Sequence, residues 1–391
     1  MDSSSTVSST TPSQVSYHIC QRCVMDTSDP EIVFDTHGVC NHCRRAEELL
    51  TTRLSLYKSG TYQVDRVVAR MQASGKGKPY DCIVGVSGGV DSTYAAYILK
   101  KLGLRPLAVH FDNGWNSELA VKNIEVTLKK LDIDLYTHVV DWEEFRSLQL
   151  SFLKASVPDA EIPTDHAIWA LLYQTAARFG LKYVVAGTNI ITESILPRSW
   201  TYYVTDWTYI KNIHRTYSTK ILTSYPHCNL AKFVYYTLLR GIKTVSILNS
   251  IDYDKTRAVD ILEHELGWKN YGGKHHESIY TRFFQSYILP LKFGIDKRRA
   301  HLSSLIMAAK MTRDEAFAEL STPIAQVQNL KDDLSYVAKK FDMSIAEFEK
   351  LMAEPTKSYK DFKNDSALYE KLKKCMRLGK KWGLLPAQIG L

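Results

Sequence analysis

From Tyr80 onward, short apolar runs alternate with longer stretches whose apolar positions recur every three or four residues. The runs Asp81–Val86, Pro106–Phe111, Leu135–Val140 and Tyr183–Ala186 predict strands; Ser92–Leu102, Leu119–Leu131, Trp142–Ala155 and His166–Phe179 predict the helices between them. Strand and helix in regular alternation predict an α/β fold, a parallel doubly wound sheet with helices on both faces. Arg44–Tyr57 and Tyr62–Ala73 read as helices ahead of it, and Ala300–Ala309, Thr312–Leu320, Leu330–Phe341 and Ser344–Ala353 as a helical region behind it. Residues 190–260 break the alternation and collect Trp200, Tyr202, Tyr203, Trp207, Tyr209 and Tyr217, which suggests an insertion that shapes a pocket or an interface. No internal repeat or heptad run is present.

The expected divisions are a disordered Ser/Thr-rich tail (1–16), a cysteine module (17–45), a helical linker (46–79), the α/β domain (80–300) and a helical C-terminal region (301–391). With 391 residues, 45% of them hydrophobic and 24% charged, the chain has room for more than one ordinary globular core. The tail lacks the basic start and apolar run of a secretory signal. The apolar stretch near Phe233–Ile251 is interrupted by Arg240 and Lys243, so no membrane span is expected, and the location expected is cytoplasmic. A net charge of +8 suits an anionic partner without choosing among nucleotide, acidic sugar and RNA.

Four of the seven cysteines form two CxxC pairs, Cys20/Cys23 and Cys40/Cys43. Each pair sets two thiolates on one side of a tight turn, and two such turns close a tetrahedral zinc site with no open position for catalysis. A structural Zn2+ in a zinc-ribbon-like module is expected, ahead of a redox pair or an iron–sulfur cluster.

The segment Val86-Ser87-Gly88-Gly89-Val90-Asp91-Ser92 joins a buried strand to a helix. Adjacent glycines let backbone N–H groups approach an anion, and the helix N-terminus adds its positive end, so the segment is a phosphate cradle. It lacks the Gly-Lys-Ser/Thr ending of a Walker loop. Asp91, inside the loop, is the candidate Mg2+ ligand. Asp112 ends the second strand as a candidate metal or ribose ligand, or a turn residue.

Ser87–Ser92 matches the SGGxDS signature of the PP-loop ATP pyrophosphatases, and the chain resembles that superfamily. The resemblance implies a HUP-like (adenine nucleotide alpha hydrolase) sheet. It also implies ATP as substrate, attack at the α-phosphate to adenylylate the acceptor, and pyrophosphate held in the loop by Ser87, Gly88, Gly89, Asp91 and Ser92. Gly187-Thr-Asn-Ile-Ile-Thr-Glu193 is similar to the second nucleotide segment of amide-forming members, which implies Gly187 and Thr188 beside ATP and Asn189 and Glu193 near magnesium or substrate.

A narrower resemblance rests on Cys20-Gln-Arg-Cys-Val-Met-Asp-Thr-Ser-Asp-Pro30, Cys40-Asn-His-Cys43, Phe111-Asp-Asn-Gly-Trp115, Tyr271-Gly-Gly-Lys-His-His-Glu-Ser278 and Tyr287–Ser303. These segments look like the N-acetyl sugar amidotransferases of bacterial surface-polysaccharide synthesis, the WbpG/PseA family, over residues 17–320. That family implies conversion of an acetamido group on an anionic sugar to an acetamidino group, with glutamine as nitrogen source. Lys274, His275 and Arg282, with Lys292, Lys297, Arg298 and Arg299, are candidates for a substrate phosphate or carboxylate, and His276 or Glu277 for a proton shuttle. Residue 2 is Asp, and Cys82, Cys228 and Cys375 lack a triad-like setting, so a separate glutaminase subunit is expected, delivering ammonia through a barrel-shaped synthase-like partner. The rival reading is a tRNA-modifying PP-loop enzyme. The chain lacks a long basic patch, so no nucleic acid partner is expected.

Overall fold

The computed structural model describes residues 16–58, 64–271, 277–324 and 327–381. Helices α1 (Asn41–Lys58) and α2 (Val64–Gly75) precede the sheet domain, which runs β1 (Cys82–Gly85), α3 (Val90–Lys101), β2 (Pro106–Asp112), α4 (Glu118–Leu131), β3 (Leu135–Val139), α5 (Trp142–Ala155), α6 (Ile162–Arg178) and β4 (Tyr183–Ala186). All sheet pairings are parallel and the spatial order is β3-β2-β1-β4-β5, with β5 at Lys243–Ser246. The parallel doubly wound sheet is therefore present.

Period-two alternation in the central strands builds the two cores. Ile83, Leu107, Val109 and Val184 face a core shared with Phe145, Phe152 and Leu171 of α5 and α6. Val84, Ala108 and Val185 face the other way, into a core with Tyr94, Leu99, Ile124 and Leu128 of α3 and α4. β1, β2 and β4 are buried on both faces and read as continuous apolar runs, whereas β3, an edge strand with no buried residue, was visible through its β-branched and aromatic composition. The fifth, β5, was not expected. It is a four-residue edge strand, Lys-Thr-Val-Ser, largely half-buried, so it shows neither a continuous run nor a clear alternation. Helix α6 starts four residues earlier than expected because Pro163 occupies its first turn, where a missing N–H costs nothing.

Beyond β4 lie α7 (Ile190–Glu193), α8 (Trp207–Tyr217), α9 (Leu230–Val234) and α10 (Lys255–Ile261). A longer helical rod follows: α11 (Ile279–Phe283), a π-turn at Phe284–Ile288, and α12 (Leu289–Phe293). Then come α13 (Arg298–Met307), α14 (Arg313–Ser321), α15 (Val327–Lys340), α16 (Ile345–Ala353) and α17 (Ser366–Lys381). The aromatics of 200–217 are engaged within the chain. Tyr202 stacks on Tyr359 at 4.6 Å, Tyr203 on Tyr369 at 5.0 Å, and Trp207 on His227 at 4.4 Å. The first two pairs fasten the C-terminal segment to the sheet domain. No described helix is long and apolar enough to cross a membrane.

Candidate nucleotide site and metal centre

Strand order reverses direction at β1, where the chain turns outward to β2 on one side and β4 on the other. In such sheets the crevice at the carboxyl ends of these two strands is where ligands sit. The Ser87–Ser92 loop leaves β1 here and Gly187 leaves β4. A Cβ on Gly187 would lie 2.9 Å from both the backbone nitrogen and the Cα of Ser92, so only glycine allows β4 to end against the start of α3. Gly88 has φ +84° and its missing Cβ would fall 2.6 Å from the Ala120 carbonyl oxygen.

Hydroxyls close the loop on itself. The Ser87 backbone N–H donates to Ser92 Oγ at 3.2 Å, the Gly89 N–H to Ser87 Oγ at 3.3 Å, and Ser92 Oγ–H to the Gly89 carbonyl at 3.1 Å. Three aromatic residues, none singled out from sequence for a site role, hold it from outside. The Trp268 indole N–H donates to the Gly88 carbonyl at 2.9 Å, the Tyr271 hydroxyl accepts the Val90 N–H at 3.2 Å, and the Tyr253 hydroxyl donates to Asp91 Oδ1. Burial first, then the Asp91 charge, pushes the Tyr253 phenol well above its usual range; burial, then Glu277, does the same for Tyr271. Both phenols stay protonated, Tyr253 donating to Asp91 and Tyr271 accepting from the Val90 N–H.

Glu277 reaches the same place. A Cβ on Gly89 would lie 3.1 Å from Glu277 Oε1, and the Glu277 carbonyl accepts the Ser117 N–H at 2.8 Å. Glu193 lies near enough for its charge to act on Tyr253. Thr188 Oγ1 meets Ser246 Oγ of β5 at 2.8 Å. Asn189 caps α7, accepting the Thr192 N–H at 2.9 Å, while its amide nitrogen is buried with no hydrogen-bond partner among the described residues. Asp112 Oδ1 accepts the Gly114 N–H at 2.9 Å and Asn116 Nδ2–H at 3.1 Å, holding the turn after β2. His110 Nδ1–H donates to the Val86 carbonyl at 2.9 Å, leaving Nε2 to accept from Asn116 at 3.1 Å.

The basic candidates have partners in the fold. Arg282 makes a two-pronged pair with Asp333 at 2.9 and 2.6 Å, and Lys292 Nζ donates to the Met352 carbonyl at 3.2 Å and the Glu354 carbonyl at 2.9 Å. Arg298 pairs with Asp296 at 2.8 Å, and Arg299 with Asp26 at 3.0 Å. Lys274, His275 and His276 lie outside the described residues.

Sequence reading also missed a group of acids. Helix α6 runs opposite to the strands, so its N-terminus lies at the carboxyl edge of the sheet; Asn113 Nδ2 donates to Thr164 Oγ1 at 3.3 Å, tying it to the β2 turn. Here stand Asp159, Glu161 and Asp165. Glu161 is buried and Asp165 is exposed. Desolvation, then Glu161 and Asp159, raises its pKa to about 8; desolvation raises Asp159 to about 6, with Lys297 opposing. Their spacing is irregular, so no sequence signal marked them.

The four cysteines of the N-terminal module converge. Their sulfur atoms lie within 4.8 Å of one another, with Cys20–Cys43 at 3.8 Å and Cys23–Cys40 and Cys40–Cys43 at 3.7 Å. A tetrahedron with Zn–S bonds of about 2.3 Å has edges of about 3.8 Å, so the dimensions fit zinc. Backbone N–H groups of Arg22, Met25 and Cys40 point at sulfurs from 3.3 to 3.4 Å, suiting thiolates. Arg313 of α14 grips both turns from outside, donating to the Cys23 carbonyl at 3.1 Å and the Cys20 carbonyl at 2.8 Å. Val24 packs with Leu302 and Ala316 in a core of its own.

Residues 277–376 match the family model described as LPS biosynthesis protein WbpG-like, C-terminal domain. Within this chain, residues 277–376 are thus similar to a WbpG-like C-terminal domain. The matched region begins at Glu277, beside the phosphate loop, and contains α13 and α14, which hold the cysteine module. No curated protein matches the chain. Among solved structures, the NMN synthetase from Francisella tularensis is similar at 16% identity and a TM-score of 0.27, over 56% of this chain and 90% of that one. The SGGxDS loop lies at the switch point of a doubly wound parallel sheet, where a nucleotide phosphate would be accommodated.

Proposed function

We propose that this chain is the synthase half of an amidotransferase that converts an acetamido group on an anionic sugar of bacterial lipopolysaccharide or a related glycan to an acetamidino group. The observation that carries the reading is Glu277, the first residue of the WbpG-like region, set against Gly89 of the phosphate loop. The region that resembles a lipopolysaccharide biosynthesis protein thereby borders the phosphate loop.

In this reading the acetamido oxygen attacks the α-phosphorus of ATP and pyrophosphate leaves along the loop, where N–H groups at the start of α3 and its positive end offset the charge. The carbon then carries AMP in place of a poor leaving group. Ammonia adds to that carbon, AMP departs with the former amide oxygen, and an amidinium remains after loss of one proton. Asp91 is the carboxylate placed to hold a Mg2+ that shields the pyrophosphate.

Ammonia from a separate glutaminase, passed through a barrel-type synthase-like subunit, accords with the thiols of this chain. Burial raises the Cys82 thiol, and raises Cys228 to about 12, the opposite of an activated nucleophile. Cys375 is exposed on α17, and no described histidine bonds to it.

The deciding experiment supplies ATP, ammonium and an acetamido sugar carrying 18O in the acetyl carbonyl. Label is expected in AMP, with an amidine product; label left in the sugar overturns the proposal. Asp91→Asn is expected to slow pyrophosphate release by about 100-fold or more at unchanged zinc content. Full turnover in that variant would remove Asp91 from the mechanism.

A further inference from the structure

The amino-terminal edge of the sheet, opposite the phosphate loop, carries a surface that the nucleotide chemistry does not use. Ahead of β5, helix α9 continues into a π-turn at Tyr235–Leu239. Its inner side is packed: Phe233 is buried against Trp169 at 5.2 Å, and Tyr236 lies 6.3 Å from Tyr173 of α6. Its outer side is apolar and open. Val234 and Tyr235 are followed one turn later by Leu238 and Leu239, so the four share a face, and all four are exposed, Leu239 to 77%. A single solvated leucine needs no explanation, whereas a contiguous apolar face marks a place of contact.

Cations flank this face, and hydrogen bonds tie them to it. The Arg240 guanidinium donates to the Ala177 carbonyl at 2.8 Å, beside Arg178; the Lys182 ammonium donates to the Arg240 carbonyl at 2.5 Å; and the Lys243 N–H donates to the Lys182 carbonyl at 2.8 Å. Lys232 stands exposed on α9 itself. None of the five makes an ion pair with a described residue. The two stretches that build this surface, 166–192 and 207–251, hold no Asp or Glu in 72 residues, where the average of the whole chain would place about eight. The positive charge is therefore not offset from within the segments that carry it.

We propose that this face docks the protein on an anionic lipid surface, with Leu238 and Leu239 entering the boundary between headgroups and acyl chains and the five cations lying among the headgroup phosphates. The assignment is independent of the amidotransferase reading. Apolar tips flanked by lysine and arginine, with no acid among them, are the pattern of a helix that lies in the plane of a membrane interface. Tyr235, on the same face, has the amphipathic ring that settles at headgroup level. Lysine is depleted at protein–protein interfaces, and three of the five cations are lysines, so a lipid surface fits this face better than an acidic protein does. Because every strand of the sheet runs parallel, away from this edge, a protein docked here turns its carboxyl edge and the phosphate loop toward bulk water, where ATP arrives.

Sedimentation of the full chain with lipid vesicles tests this. The protein is expected to pellet with vesicles of about one-third phosphatidylglycerol in phosphatidylcholine and to stay in the supernatant with phosphatidylcholine alone. Raising NaCl from about 0.1 M to about 0.5 M is expected to weaken binding about tenfold or more, because the attraction is screened. Leu239→Ser is expected to weaken it about tenfold through lost apolar burial, and Lys232→Gln about fivefold through one lost cation. Both side chains are exposed, so the circular dichroism of each variant is expected to match that of the wild type. Equal binding to neutral vesicles, or binding that both variants leave untouched, overturns the proposal. No binding to anionic vesicles also overturns it and leaves an acidic protein as the occupant. A concentration-dependent dimer that Leu239→Ser dissolves, in place of vesicle binding, would give the face to a second copy of the chain and overturn it as well.

Discussion

Gly187→Val is expected to abolish ATP turnover while the zinc content stays at one ion per chain. The valine Cβ would stand 2.9 Å from the Ser92 nitrogen and Cα, and 3.1 Å from the Asp91 carbonyl carbon. These are backbone atoms at the first turn of α3, and no rotamer change can move them aside. Either β4 retreats from β1, breaking the Ile83–Val184 and Val84–Val185 register, or α3 lifts and carries the phosphate loop with it. Overpacking of this kind costs about 1–3 kcal/mol, which the domain survives, but a displacement of about 1 Å at the reacting groups costs about 100-fold in rate. Pyrophosphate release under saturating ATP, read beside circular dichroism, checks it. Wild-type turnover in Gly187→Val would mean that β4 does not border the nucleotide.

Cys23→Ser, or prolonged chelation, is expected to lower the melting temperature by on the order of 10 °C and to weaken activity without touching the phosphate loop. The chain of contacts explains the reach. The cysteine turns offer their carbonyls to Arg313, and Val24 offers its N–H to Ser303 Oγ at 3.2 Å and its carbonyl to Arg299 at 2.8 Å. On the far side of α13, Ser304 Oγ accepts the Ile195 N–H at 3.0 Å and His301 bonds the Thr192 carbonyl at 3.1 Å, just past Gly187 and Thr188. Losing the metal frees the turns that anchor α13, and α13 sets the segment that ends β4. Differential scanning fluorimetry and metal analysis before and after chelation test this. A zinc-free protein with an unchanged melting temperature would show that the module is not a structural staple.

Much of the nucleotide site was legible because its requirements are local. Six consecutive residues make the cradle, and the strand before and helix after it are adjacent in sequence. Glu277 was legible only by resemblance, since nothing in its neighbourhood says that it returns to a loop nearly two hundred positions earlier. Tyr253, Trp268 and Asn116 carried no signal at all: each is one polar group on an otherwise ordinary residue, and its role exists only through its partner. Arg282 shows the converse. A basic residue beside a motif invited a substrate role, and the structure gives it Asp333.

By itself the sequence determined the two-sided parallel sheet, the phosphate loop at its first turn and the clustering of four cysteines, because buried strands, glycine turns and CxxC turns are set by residues close together in the chain. Tertiary structure alone decided that a fifth, polar strand completes the sheet and that the WbpG-like region supplies Glu277 to the loop. It also set Gln285 and Lys297 against Glu161 at the start of α6. Those outcomes depend on desolvation and on contacts between residues far apart in the chain, and a linear pattern records neither.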